Sequence, residues 1–178
     1  MPRVTVVMPV YNAARYVRAA IHSILMQTYT DFELLILNDG STDASREIIA
    51  SYRDPRIRLV DNERRVGLTR TLIRGVQMAQ ADLIARQDAD DLSMPQRLDY
   101  QVRYLDAHPA VVVLGTVSEA IDHEGRFIGV VPTRHGVARV RRGLLTLRAT
   151  MAHSSIMMRR AAYEALGGYR EAFPLSQD

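Results

Sequence analysis

The residues of this chain that could carry chemistry fall in three short polar segments: Pro9 to Asn12, Asn38 to Ser41 and Asp88 to Asp91. Asp88 and Asp90 stand two apart, so at the end of an extended strand their carboxylates would lie on the same side. Two hard oxygen donors in that arrangement suit Mg2+ or Mn2+, which keep open positions for phosphate oxygens. A cation held there would screen a diphosphate and stabilise it as a leaving group. The same acids could instead cap a helix opening at Ser93, or simply face solvent. Asp39 could accept hydrogen bonds from a base or a ribose, as acids at strand ends do. Equally, Asn38-Asp39-Gly40-Ser41 could be an ordinary turn that caps the next helix. Tyr11 could lie against a nucleobase or pack at the edge of a sheet.

For these segments to meet, the elements that bear them must end on one side of a sheet. Val4 to Met8 is a nearly continuous β-branched run, as expected of a strand buried on both faces. Asn12 can then cap a helix whose apolar positions Val17, Ala20, Ile21 and Ile24 recur at helical spacing. Leu34 to Leu37 is a second buried run, followed by a helix with Ile48 and Ile49 and a short strand from Ile57 to Val60. A helix with the stripe Leu68, Leu72, Val76 and Ala79 leads to a fourth strand at Leu83 to Ala85. This alternation predicts a mostly parallel α/β sheet with helices on both faces. In such a sheet ligands bind beyond the carboxyl ends of the strands, where all three polar segments fall.

Further on, Ser93 reads as the N-cap of a helix with Pro95 in its first turn and Leu98, Val102 and Leu105 on one face, stopping near Pro109. Val111 to Leu114 and Phe127 to Val131 read as an antiparallel pair joined by Asp122-His123-Glu124-Gly125. A short strand at Ser155 to Met158, a helix from Arg160 to Leu166 and a Gly167-Gly168 stop close the chain.

Composition narrows the chemistry. The 178 residues suit one domain, long enough to bury a core without staples. With no Cys there is no disulfide scaffold, zinc ribbon or thiol nucleophile. Every basic residue is arginine; lysine is absent, which removes Schiff-base and P-loop lysine chemistry. The segment after the first strand has no glycine, so neither a dinucleotide fingerprint nor a phosphate-cradling loop is present. Phosphate contacts must then come from Arg, backbone N–H groups or a metal. No apolar run approaches the roughly 20 residues of a spanning helix, and Met1-Pro2-Arg3 does not open a signal peptide, so a soluble cytoplasmic protein is expected. A net charge of +3 does not announce a nucleic-acid binder. Arg134, Arg139, Arg141, Arg142 and Arg148 form a local run without acids; within it Arg139, Arg141 and Arg142 could meet diphosphate, anionic lipid or acidic glycan, although such a group is more often one solvated helix face. His153 could touch substrate, although a single His before a strand is more often structural.

Taken in order, Val4-Thr5-Val6-Val7-Met8-Pro9-Val10-Tyr11-Asn12, Asn38-Asp39-Gly40-Ser41-Thr42-Asp43 and Asp88-Ala89-Asp90-Asp91 resemble inverting glycosyltransferase family 2. His153-Ser154-Ser155 and Gly167-Gly168-Tyr169-Arg170 are similar to its bacterial surface-polysaccharide branch. The resemblance implies a GT-A fold: a Rossmann-like, mostly parallel sheet with a small antiparallel acceptor-side portion. It implies one catalytic domain over residues 1–178, with a nucleotide-binding half at 1–108 and an acceptor-binding half starting at 109–178. Pro9, Tyr11 and Asp39 would contact the nucleotide, with Val10 and Asn12 in the same segment. Asp88 would meet ribose or metal, Asp90 would ligate Mg2+ or Mn2+, and Asp91 is a further candidate ligand. Asp178 matches the family's catalytic base. The implied donor is a nucleotide-sugar, a UDP-sugar by analogy, and the acceptor a glycan or lipid-linked hydroxyl. No nucleic-acid partner is implied, while peripheral contact with the inner face of the membrane fits such an acceptor.

Two departures stand out. Ile73 takes a position where many relatives carry Asn, and the chain stops at Asp178 where the family usually continues. A truncated core that binds nucleotide and metal but transfers sugar poorly is the expectation. A metal-dependent nucleotidyltransferase is a competing reading, but it would want a Gly-rich loop and a basic residue after the first strand. A non-catalytic nucleotide- or nucleic-acid-binding module is another, weakened because aromatic residues do not interleave the Arg run.

Overall fold

The computed structural model describes residues 1–131, 133, 136–146 and 151–172. In chain order its elements are β1 (Val4–Val10), α1 (Val17–Leu25), β2 (Phe32–Asn38), α2 (Ser45–Ala50), β3 (Ile57–Asp61), α3 (Leu68–Met78), β4 (Leu83–Arg86), α4 (Arg97–Ala107), β5 (Val113–Leu114), β6 (Ser118–Ile121), β7 (Phe127–Val131), α5 (Val137–Leu145), β8 (Met157–Arg159) and α6 (Arg160–Ala165).

Every residue of β1 and β2 is buried, which is why both read as continuous apolar runs and not as alternating ones. The main sheet has the order β3-β2-β1-β4-β8-β5. β3, β2, β1 and β4 are parallel, while β8 runs antiparallel to both β4 and β5. On one face Val17, Ala20, Ile21 and Ile24 of α1, Ile49 of α2, and Leu98, Val102 and Leu105 of α4 pack against Val6, Met8, Leu34 and Ile36. On the other, Leu72 and Val76 of α3, with Tyr163 of α6, cover Val7, Leu35, Leu37 and Ile84. The expected α/β architecture of GT-A type is therefore present, a mostly parallel sheet with helices on both faces and a separate antiparallel pair, β6 with β7. Among the described residues no helix is long and apolar enough to cross a membrane.

The antiparallel portion differs from the reading of the sequence in its partners. Phe127–Val131 pairs with Ser118–Ile121, and Val113–Leu114 joins the main sheet through Met157 and Met158. The turn at Asp122 to Gly125 does join the hairpin: the Asp122 carboxylate accepts from the backbone N–H groups of Glu124 and Arg126, and Gly125 has φ 81°. Ser118-Glu119-Ala120-Ile121 carries too little apolar signal to announce a strand, so the nearby valine run took its place. Two expected N-caps also act otherwise. α1 opens after Tyr16, not Asn12, and α4 opens after Gln96, not Ser93. Both side chains are engaged elsewhere, as described below.

α3 can lie close on β1 because Gly75 faces it. A Cβ on Gly75 would stand 2.6 Å from Cγ1 of Val7 and 3.1 Å from Cδ1 of Leu37, both in buried strands that cannot withdraw. Gly75→Ala gains up to about 1 kcal/mol of helix propensity, but overpacking of this kind costs about 1–3 kcal/mol. We expect a net loss of stability, seen as a lower urea midpoint. A raised midpoint would show that α3 can shift outward freely.

Candidate functional site

The carboxyl ends of the parallel strands lie side by side, with Val10, Asn38 and Asp61 in register across β1, β2 and β3. β4 ends earlier, Arg86 lying opposite Val7, and the chain continues with the Gln87 amide donating to the Val7 carbonyl at 3.1 Å. Strand order reverses between β1 and β4, the crevice where open α/β sheets receive ligands. The three polar segments lie at or just after the carboxyl ends of β1, β2 and β4.

The first two are stapled together. Asn12 has φ 49°, a left-handed conformation that Asn tolerates better than most residues. There its N–H donates to Ser41 Oγ at 3.1 Å, and its Oδ1 accepts from the Thr42 N–H at 2.8 Å. Asn12 thus ties the end of β1 to the end of β2 and is not free to cap α1. Ala13 and Ala14 add bonds to Ser45 Oγ and Asp43 Oδ2. Pro9 and Val10 are buried within the end of β1 and supply shape there, while Tyr11 is 40% exposed beyond it. The Arg65 guanidinium carbon lies 4.0 Å from the Tyr11 ring centroid.

Asp39 is buried, and its carboxylate organises the loop between β3 and α3. Oδ1 accepts from Asn62 Nδ2 and the Val66 N–H, each at 2.8 Å, and Oδ2 accepts from the Gly67 N–H at 2.8 Å. Gly67 is the N-cap of α3, so Asp39 caps that helix and not α2, the one following it. A carboxylate oxygen can accept two bonds, which leaves Oδ2 one position for a ligand donor. Gly40, at φ 69°, completes the corner: a Cβ there would stand 2.8 Å from the Arg65 backbone nitrogen.

The acidic segment sits on two buried arginines. Arg86, 5% exposed, donates from Nη2 to Asp88 Oδ1 at 2.8 Å, while its Nε and Nη1 are buried without a hydrogen-bond partner. Burial pushes the Asp88 carboxyl above its usual range, Arg86 pulls it back, and Asp91 and Asp90 push it up again. Asp90 and Asp91 are exposed, and among the described residues no three acidic or histidine side chains converge on one point. Mg2+ or Mn2+ does not require that, since one or two carboxylates plus substrate phosphate oxygens suffice. Asp90 and the unpaired oxygen of Asp88 fit that role. Arg97 lies beneath, hydrogen-bonded to neutral acceptors only; burial pushes its guanidinium down to about 10, still protonated at neutral pH.

The Arg86–Asp88 pair has a consequence for stability. Asp88→Ala strands a buried cation, and breaking such pairs is destabilising; with the Asp88 side chain 35% exposed we expect about 2 kcal/mol. Asp90→Ala strands nothing and should leave the urea midpoint in place. Equal losses in the two variants would contradict the assignment.

His153 Nε2 lies 2.8 Å from the Tyr169 hydroxyl, and Tyr169 stacks edge-on against Tyr163, so these residues knit the ends of α6 and β8 together. Arg139, Arg141 and Arg142 are exposed on α5. Arg134, Arg148 and the expected base Asp178 lie outside the described residues. Sequence reasoning missed Arg65, Arg86, Gln87 and Arg97. The available signal for Arg97 was its four-residue spacing from Gln101 beside the apolar stripe of α4, which amphipathic reading assigns to the solvent side.

A parallel sheet in the order β3-β2-β1-β4, with acids and an aromatic ring beyond its carboxyl ends, is the architecture in which open α/β folds receive ligands. Comparison with known proteins is more specific. The family described as Glycosyl transferase family 2 matches residues 5–167, and the chain belongs to that family. It is 37% identical over 176 residues to a Bacillus subtilis protein named as a glycosyltransferase, EpsE, covering 95% of this chain and 60% of that one. It is 35% identical over 99 residues to the Escherichia coli UDP-Glc:alpha-D-GlcNAc-diphosphoundecaprenol beta-1,3-glucosyltransferase WfgD, covering 56% of this chain and 39% of that protein. Among solved structures, Staphylococcus aureus TarS 1–349 in complex with UDP superposes with a TM-score of 0.82 at 19% identity, covering 98% of this chain and 52% of that one. A Pyrobaculum calidifontis mannosyltransferase in complex with GDP-Man and Mn2+ gives 0.71 at 24% identity, over 95% and 48%. The chain thus spans 60% of EpsE and about half of each solved neighbour.

Proposed function

We propose that this chain carries the donor site of an inverting glycosyltransferase, which moves a sugar from a nucleotide-diphosphate sugar to a hydroxyl of a glycan or lipid-linked acceptor in cell-surface polysaccharide synthesis. What supports this reading is that Tyr11, Asp39, Asp88 and Asp90 follow the carboxyl ends of β1, β2 and β4 in a chain without lysine or a Gly-rich loop after its first strand. A nucleotide-sugar donor, with UDP as the leading nucleotide, places the work in the cytoplasm, at the inner membrane face where the acceptor is lipid-linked. That WfgD is named for a UDP-Glc donor and a lipid-linked acceptor supports this choice.

Tyr11 offers its ring to the base, and the open position on Asp39 Oδ2 accepts an N–H or O–H of the nucleoside. Asp88, with one oxygen held by Arg86, presents the other to a ribose hydroxyl or shares the cation with Asp90. Asp90, with Asp91 beside it, would hold Mg2+ or Mn2+, which when bound supplies charge stabilisation for a departing diphosphate. Asp178 would take the proton of the attacking hydroxyl as general base, and one in-line displacement inverts the anomeric carbon. Residues 1–108 form the nucleotide half in this scheme, and the acceptor half of the same domain begins at 109.

Calorimetric titration of UDP, GDP and dTDP, each with and without Mn2+, tests the reading. Metal-dependent binding of one of them, UDP first, is expected. Binding of none would overturn it.

A further inference from the structure

Arg97 presents a physical puzzle. Its guanidinium is buried, and its five hydrogen bonds among the described residues all go to neutral acceptors. Nη2 donates to the Arg86 carbonyl at 2.7 Å and the Ile156 carbonyl at 3.3 Å, Nη1 to Gln87 Oε1 and Ser93 Oγ, both at 2.9 Å, and Nε to Gln101 Oε1 at 3.2 Å. Burying a cation without a carboxylate partner is costly, and an apolar side chain of similar volume is commonly at least as stable in such a place. Packing alone does not explain the charge.

What lies around it does. Gln87, itself buried, receives Arg97 on its amide oxygen, so its nitrogen must face the other way. That nitrogen donates to the Asp88 carbonyl at 3.1 Å and the Asp91 carbonyl at 2.8 Å, the two ends of the acidic turn. The direct backbone bond across the turn, from the Asp91 N–H to the Asp88 carbonyl, is long at 3.3 Å. Ser93 Oγ donates to Gln87 Oε1 at 2.6 Å and locks the same amide. One rigid, donor-only fork therefore reaches β4, the residue before β8, α4 and, through Gln87, the whole turn. Its charge also attracts Asp91, the far end of the turn.

We propose that Arg97 is a positioning residue: a buried counter-charge and template that holds the 87–91 turn in binding shape before a divalent cation or nucleotide arrives. The binding part of this inference rests on the function proposed above; the shape part does not.

The test compares the wild-type chain with Arg97→Met and Arg97→Lys. By hydrogen exchange without ligand, amides of residues 87–91 in Arg97→Met should exchange about tenfold faster or more, while those of β1 and β2 keep wild-type protection. By calorimetry, Mn2+-supported UDP binding should weaken by about 10–100-fold, as for other residues that orient metal ligands, and UDP binding in EDTA should not change. Arg97→Lys, which keeps the charge and loses the fork, should fall between on both measures. Unchanged turn exchange, loosening spread evenly over β1 and β2, or an equal loss of UDP affinity with and without Mn2+ would each overturn the proposal. Should Arg97→Met fail to fold, Gln87→Met severs the same link and must show the same turn-selective effect. If the wild-type chain binds no nucleotide, the functional reading fails while the exchange measurement still decides the role of Arg97.

Discussion

Asp39→Ala should lower the unfolding free energy by roughly 3–5 kcal/mol, a large share of the 5–15 kcal/mol of an ordinary domain. The side chain is buried and accepts three hydrogen bonds, from Asn62, Val66 and Gly67. Bonds to a charged acceptor contribute about 1.5–3 kcal/mol each, and a buried donor left unpaired costs about 1–3 kcal/mol. The sum is not reached because the 62–67 loop can swing outward and bond to water. Asp39→Asn is the informative companion. Its amide oxygen can replace one carboxylate oxygen, but its NH2 then faces another N–H donor, so about half of the loss should remain. Both follow from urea denaturation, and a loss under about 1 kcal/mol for the alanine variant would mean that the loop does not depend on this carboxylate. The damage also reaches the site, because the loop carries Arg65, which lies over Tyr11.

The second large effect concerns binding. In the presence of Mn2+, Asp90→Ala should weaken nucleotide affinity about 100-fold, equal to ~2.8 kcal/mol at 1.4 kcal/mol per tenfold. Asp90 is exposed and pairs with no arginine among the described residues, whereas Asp88 already gives one oxygen to Arg86. Asp88→Ala should therefore cost more stability than Asp90→Ala but less metal-dependent affinity. The two aspartates, alike in sequence, separate in opposite directions in two assays. If Asp90→Ala retains the wild-type gain in affinity on adding Mn2+, the cation is held elsewhere.

The places where sequence reading went astray share a cause. Asn12 and Ser93 are good N-caps by residue type, and both stand just ahead of helices. Each instead bonds to a segment distant in the chain or to an inward-facing amide: Asn12 to Ser41 and Thr42, Ser93 to Gln87. Capping preference is a local energy of about 1 kcal/mol, and it is outweighed for Asn12 by two bonds that join separate strand ends and for Ser93 by a bond to the buried Gln87 amide. The hairpin was misassigned for a related reason. Ser118–Ile121 is half exposed and forms a strand only because Phe127–Val131 lies beside it.

The sequence by itself determined the parallel α/β core, because strands buried on both faces must be apolar throughout and the helices covering them must carry a stripe. It also determined where the polar segments fall, since chemistry-bearing residues cannot lie inside such strands and collect at their carboxyl ends. Only the tertiary structure decided what each polar residue does there. Asp39 holds a loop, Asp88 pairs with Arg86, Asp90 has no such partner among the described residues, and Arg97 is buried nearby. Hydrogen-bond partners and desolvation depend on residues far apart in the chain, such as Asp39 with Gly67 or Arg97 with Ile156, and no local pattern encodes that pairing.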